Sequence, residues 1–156
     1  MSRKVLTTAR PVARFAADRQ AELDAAGIEL IFPSTTGIAL NEAELLRQLP
    51  GCFAAAAMPD SYTRKVIAAC APTLKIIARS GVGSDAVDLE AASEFGVWVT
   101  TTPGANHDTV ADYTMCLMLA MLRDLITTVN QTRAGTWKRM VGVELRGKRL
   151  GIVGTG

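Results

Sequence analysis

Two glycine pairs and a single histidine carry most of the chemistry that this chain can offer. The first pair lies in Ala78-Arg79-Ser80-Gly81-Val82-Gly83-Ser84-Asp85-Ala86-Val87-Asp88, directly after an apolar run that reads as a strand. In an open α/β sheet, ligands sit outside the carboxyl ends of strands. Glycines on either side of Val82 let the backbone approach a ligand and aim N–H groups at it, which suits a carboxylate or phosphate. A hydrogen bond to a charged acceptor contributes about 1.5–3 kcal/mol, so two amides can fix an anion without any side chain. The same glycines also fit a plain strand-to-helix turn, and both readings stay open at this point.

The second pair is Gly154 and Gly156, around Thr155. It follows Lys148-Arg149-Leu150-Gly151-Ile152-Val153, which reads as a buried strand. Strand, tight glycine turn and helix N-terminus is the order that takes a dinucleotide pyrophosphate. Gly-x-Gly alone is weak evidence, because many turns share it. His107 is the only histidine. It falls near the start of a predicted helix, where an imidazolium opposes the macrodipole, so it is read as a solvated residue without a role. Arg79 is read as fixing the glycine loop through Asp85 or Asp88. Trp137-Lys138-Arg139 reads as a surface or subunit-contact loop.

Other chemistries find little support. Cys52, Cys70 and Cys116 form no C-x-x-C and no His/Cys cluster. They read as free, small buried hydrophobes in a reducing compartment, with no metal site. The net charge of +2 and the scattered basic residues do not suit nucleic acid. The basic N-terminus lacks an apolar signal region, and the longest apolar run, Met115–Leu122, is too short for a bilayer. A cytoplasmic protein without membrane contact is expected.

The elements that must position these residues alternate. At 49% hydrophobic, 21% charged and 5% aromatic, the composition favours helix packed on sheet. Strands are predicted at Lys4–Thr7, Ile28–Phe32, Cys52–Ala57, Leu74–Ala78 and Val97–Thr100. Helices are predicted at Val12–Ala26, ending at Gly27, then Asn41–Leu49, Thr63–Cys70 and Leu89–Phe95. Asn41 and Glu44 have capping-box spacing. Short connections and non-alternating apolar strands predict a parallel sheet covered by helices on both faces. Thr100–Gly104 is turn chemistry and marks a boundary. From Asn106 to about Arg133 the pattern is one long helix, apolar nearly all round between Met115 and Leu122, which calls for cover on more than one side.

Three ordered blocks then resemble a known family. Leu74–Leu89 resembles the signature loop of the D-isomer-specific 2-hydroxyacid dehydrogenases, phosphoglycerate dehydrogenase-like members above all. Thr102–Asp112 resembles their hinge and the start of their interdomain helix. Glu144–Gly156 resembles the beginning of their dinucleotide fold.

The resemblance implies an α/β chain. Residues 1–102 would be a flavodoxin-like, parallel-sheet substrate domain lacking a C-terminal return segment. Residues 103–156 would be the interdomain helix and the first strand of a truncated Rossmann-type NAD(P)-binding domain. The Val82 and Gly83 amides would hold the substrate carboxylate, with Val82 also beside the nicotinamide. Asn106 would line the cleft, and Gly154, Thr155 and Gly156 would meet the cofactor, NAD or NADP. The partner would be a small anionic 2-hydroxy or 2-oxo acid, and a homodimer would form through the 103–150 region.

The chain also departs from the family pattern. Ala54–Pro59 has no basic residue where phosphoglycerate dehydrogenases often place an arginine at the end of the third strand, which counts against 3-phosphoglycerate. The family's catalytic arginine, glutamate and histidine lie downstream of the glycine fingerprint, so no catalytic residue falls in this chain. Residues 1–156 are therefore expected to be inactive alone. The rival expectations are an NAD(H)-sensing, non-enzymatic co-regulator on the same fold, and an inactive truncated fragment.

Overall fold

The computed structural model describes residues 2–9, 12, 15–34 and 39–154. It divides into two compact units, Met1–Ala105 and Asn106–Gly156.

The first unit is built on five parallel strands: β1 (Arg3–Thr7), β2 (Ile28–Ile31), β3 (Ala54–Ala57), β4 (Ile76–Arg79) and β5 (Trp98–Thr100). Their order is β2-β1-β3-β4-β5. This is the doubly wound, flavodoxin-like arrangement, whose order reverses between β1 and β3. Thr7 pairs with Ala56, Ala56 with Ala78 and Ala78 with Thr100, so four strands end at one level. Thr8, Met58, Ser80 and Thr101 therefore begin one shared rim.

The helices are α1 (Gln20–Ala25), α2 (Glu42–Gln48), α3 (Arg64–Cys70) and α4 (Leu89–Glu94). Right-handed crossovers put α1 on one face and the other three on the opposite face. There α2 packs on α3 and α3 on α4. Side-chain caps start these three. Asn41 and Glu44 form the predicted capping box, Thr63 accepts from the Val66 amide, and Asp88 accepts from the Ala91 amide. Part of the predicted Val12–Ala26 helix lies outside the described residues; in the described part Val12, Phe15 and Ala16 are helical, a 3-10 turn, Ala17–Arg19, follows, and α1 comes next.

The core follows from this asymmetry. Leu6, Ala55 and Ile77 point to the three-helix face and are at most 1% exposed, packed with Leu45, Leu49, Val66, Ile67 and Leu74. On the other face Val5, Ala56 and Ala78 are only half-buried. The strands were expected to be buried on both sides. Among the described residues α1 is the one named α-helix on that face, and none of its residues is buried.

The second unit corrects two expectations. The long helix is two helices, α5 (His107–Leu122) and α6 (Leu125–Arg133), separated at Asp124, whose φ of +48° is left-handed. Neither contains a buried residue; Leu117 and Met121 of α5 are 53% and 76% exposed. The buried strand expected before Gly154 is not formed. Residues 149–154 have no strand structure, and Leu150, Ile152 and Val153 are exposed. A strand needs a neighbour for its ladder, and the described residues of this unit contain none. No helix among the described residues is long and apolar enough to cross a membrane.

Candidate functional site

The loop after β4 is tied down at both ends and free at its middle. The Ser80 amide donates to the Ala57 carbonyl at 2.8 Å, and the Gly81 carbonyl accepts from the Thr102 amide at 2.9 Å. At the far end the Tyr62 amide donates to Ala86 and the Asp88 amide to the Tyr62 carbonyl, both at 2.9 Å. Between these anchors the amides of Val82 and Gly83 donate to no acceptor among the described residues. Val82 is 48% exposed. Unpaired amides at an exposed apex are what an external anion requires.

The glycines are present for space rather than for a left-handed turn. Neither Gly81 nor Gly83 has a positive φ. A Cβ at 81 would stand 3.3 Å from Nη2 of Arg79, and one at 83 would stand 3.0 Å from Oδ2 of Asp85. The loop is thus flanked by one charge of each sign.

Arg79 is placed differently from the sequence expectation. It pairs with neither Asp85 nor Asp88. Asp88 caps α4, and Nη1 of Arg79 donates to the Met58 carbonyl at 3.1 Å. The guanidinium therefore joins the ends of β3 and β4, while its buried Nε has no partner among the described residues.

Two further groups at this rim escaped the sequence reading. Asp60 is fully buried, and Tyr62 is 1% exposed. Oδ1 of Asp60 accepts from the Leu40 amide at 2.7 Å. Oδ2 accepts from Oγ1 of Thr8 at 2.6 Å and from the Met58 amide at 3.1 Å. Burial first, and the Asp60 carboxylate second, push the Tyr62 phenol far above its ordinary value, so its hydroxyl stays protonated. In sequence, Pro59-Asp60-Ser61 looks like ordinary turn chemistry; only the partner Thr8 distinguishes it.

The remaining site residues fall in the second unit. Asn106 precedes α5 and makes no side-chain capping bond, and His107 is exposed at its first turn. Trp137 is 95% exposed. Gly154 has φ +85°, suited to a tight turn. Thr155 and Gly156 lie outside the described residues. The described residues do not build a dinucleotide cradle, because the strand before Gly154 is unformed. No cluster of metal-ligating side chains occurs among the described residues.

Comparison with known proteins agrees with this architecture. Residues 8–145 match the profile of the D-isomer specific 2-hydroxyacid dehydrogenase catalytic domain. The chain is 34% identical over 119 residues to a D-3-phosphoglycerate dehydrogenase of Archaeoglobus fulgidus, covering 75% of this chain and 23% of that protein. It is 42% identical over 95 residues to a glyoxylate reductase of Aeropyrum pernix, covering 55% of this chain and 28% of the relative. The solved NAD-dependent formate dehydrogenase of Staphylococcus aureus, in complex with NAD, superposes with a TM-score of 0.66 at 27% identity, over 86% of this chain and 43% of that one. The chain spans about a quarter of the length of these curated relatives. Profile match, strand order and glycine loop agree: the chain belongs to the D-isomer specific 2-hydroxyacid dehydrogenase family.

Proposed function

We propose that this chain supplies the substrate-binding part of an NAD(P)-dependent oxidoreductase acting on a small D-2-hydroxy acid or its 2-oxo counterpart. The observation that carries this reading is the exposed pair of acceptorless amides at Val82 and Gly83. They would receive the substrate carboxylate, with Val82 also lining the nicotinamide side. Residues 1–102 would form the substrate domain and residues 103–156 the link to a nucleotide-binding domain. Asn106 would contribute to the cleft; Gly154, Thr155 and Gly156 would belong to the cofactor turn. A bound nicotinamide dinucleotide supplies or takes the hydride, and the relative solved with NAD favours that cofactor class. This chain's own residues bind and orient the acid.

An unphosphorylated acid fits the rim better than 3-phosphoglycerate. Met58, the first residue after β3, carries no charge, and its carbonyl engages Arg79. Exposed Leu117 and Met121 on α5 support a homodimer through the 103–150 region.

The test is NADH oxidation by the complete protein with glyoxylate, pyruvate and 3-phosphohydroxypyruvate. Each turnover consumes one 2-oxo acid, one NADH and one proton, and yields one 2-hydroxy acid and NAD. Glyoxylate or pyruvate is expected to outperform the phosphorylated acid, and residues 1–156 alone are expected to be inactive. Absence of turnover with all three acids would overturn the reading.

A further inference from the structure

In a doubly wound sheet a ligand enters where the strand order reverses. Here that crevice, between the carboxyl ends of β1 and β3, holds the chain's own Asp60. Its carboxylate is fully buried, with no cation within ion-pair distance among the described residues. It gathers the Thr8 hydroxyl after β1, the Met58 amide after β3 and the Leu40 amide before α2. The Thr8 hydroxyl itself accepts from the Met58 amide at 3.0 Å, closing the set.

Met58 is therefore held from two sides. Its amide is fixed by Asp60 and Thr8. Its carbonyl accepts from the Asp60 amide at 2.7 Å and from the Arg79 guanidinium at 3.1 Å. Pro59 restricts Met58 to extended backbone and presets the tight turn between Met58 and Asp60. Arg79 in turn lies against the loop, since its Nη2 is 3.3 Å from where a Cβ on Gly81 would stand. Gly81 is the residue before the two free amides.

We propose that Asp60 is a positioning residue for the Val82 and Gly83 amides, acting through Met58 and Arg79. This deepens the functional reading above and rests on it for its consequence, although the physical linkage can be read without activity. A fully buried carboxylate that collects three donors from three separate segments fixes their relative positions more tightly than neutral bonds would. Asparagine at 60 keeps the shape but presents an N–H to one of these donors, which breaks the set.

Amide spectra of the full chain test the linkage, with Asp60→Asn, Arg79→Lys and the double variant compared. Asp60→Asn is expected to move the Gly81, Val82 and Gly83 resonances, which no Asp60 bond reaches, while leaving Ala91 and Ala92 of α4 in place. The double variant is expected to add little beyond Arg79→Lys, since the two residues act in series. Shifts confined to Thr8, Leu40 and Met58, or strictly additive shifts at the loop, would overturn the proposal. If Asp60→Asn does not fold, Thr8→Val removes one donor and leaves the charge; movement at residues 81–83 then supports the linkage and its absence refutes it. In the complete protein, Asp60→Asn should raise KM for glyoxylate about tenfold while kcat changes within about twofold. A protein without oxo-acid turnover refutes the functional reading, and the amide result still decides the linkage.

Discussion

The Thr102 amide donates to the Gly81 carbonyl over 2.9 Å, so the exit from β5 is stitched to the first glycine of the loop after β4. With Ser80 bound to Ala57 and Asp88 to Tyr62, the loop has anchors from three neighbouring segments. The Val82 and Gly83 amides lie at the exposed apex between these anchors and donate to no acceptor among the described residues. A site of this kind is made by fixing its surroundings, not by adding a reactive side chain.

The glycine at 83 can accordingly be tested separately for fold and for binding. Its φ is not left-handed, and the obstacle to a Cβ is the tip of exposed Asp85. Gly83→Ala is expected to change stability by less than about 1 kcal/mol. The alanine keeps its N–H, but its methyl group obstructs the approach of a carboxylate; losing that one contact, about 1.5–3 kcal/mol, should raise KM for the preferred 2-oxo acid by about ten- to a hundredfold. Thermal unfolding and steady-state kinetics on the same protein check both parts. A large stability loss with unchanged KM would make Gly83 a structural glycine.

Gly142 presents the opposite case. A Cβ there would lie 3.0 Å from the Leu122 carbonyl oxygen and 3.2 Å from Arg123 Cα. These are backbone atoms at the end of α5, next to the bond from the Val143 amide to Leu122. They cannot swing aside as a carboxylate tip can. Gly142→Ala should destabilise the second unit by about 1–3 kcal/mol. Hydrogen exchange should show the loss in α5 and α6 and spare the sheet; unchanged exchange there would contradict it.

Asp124 breaks the long helix without glycine or proline. A non-glycine residue in left-handed backbone costs about 1–2 kcal/mol, less for aspartate than for bulkier residues. Asp124→Gly removes that strain but adds unfolded-state freedom, for an expected net gain of about 0.5–1 kcal/mol. Asp124→Val should lose at least about 1 kcal/mol, since a β-branched residue fits this region poorly. Denaturant titration of both variants decides the point. Equal losses in the two would mean that the Asp124 side chain, not its backbone, sets the break.

These three positions show what could be read from the residues alone. Alternating strand and helix, the capping box at Asn41 and Glu44 and the parallel sheet follow from local pattern, and they are present. The break at Asp124 is invisible to pattern because apolar residues continue through it at Leu122, Leu125 and Ile126. Arg79 was assigned the wrong partner because Asp85 and Asp88 are near in sequence, whereas Met58 is near only across the sheet. Asp60 was missed for the same reason: its hydroxyl partner, Thr8, is 52 positions away. The strand before Gly154 has the right residues, but a strand is a property of a pair, and the described residues of that unit offer no second strand.

The cysteines give a prediction with a defined pH window. Cys52 and Cys70 are buried, and Cys116 is exposed on α5. Burial, with a smaller contribution from Cys52, pushes the Cys70 thiol from its usual 9.0 up to about 11. Burial raises Cys52 as well. A thiol whose folded value lies above its unfolded value stabilises the fold fully below the unfolded value, and that contribution is lost as pH rises through the folded one. Stability should therefore hold through pH 8 and fall as pH climbs from about 9 towards 11. At pH 8 a thiol reagent should label Cys116 first and reach the other two only on unfolding. Cys70→Ala should flatten the alkaline loss while costing core packing at neutral pH. Rapid labelling of all three thiols in the folded protein would show that the α2–α4 face is far less closed than Leu45, Val66 and Ile67 make it.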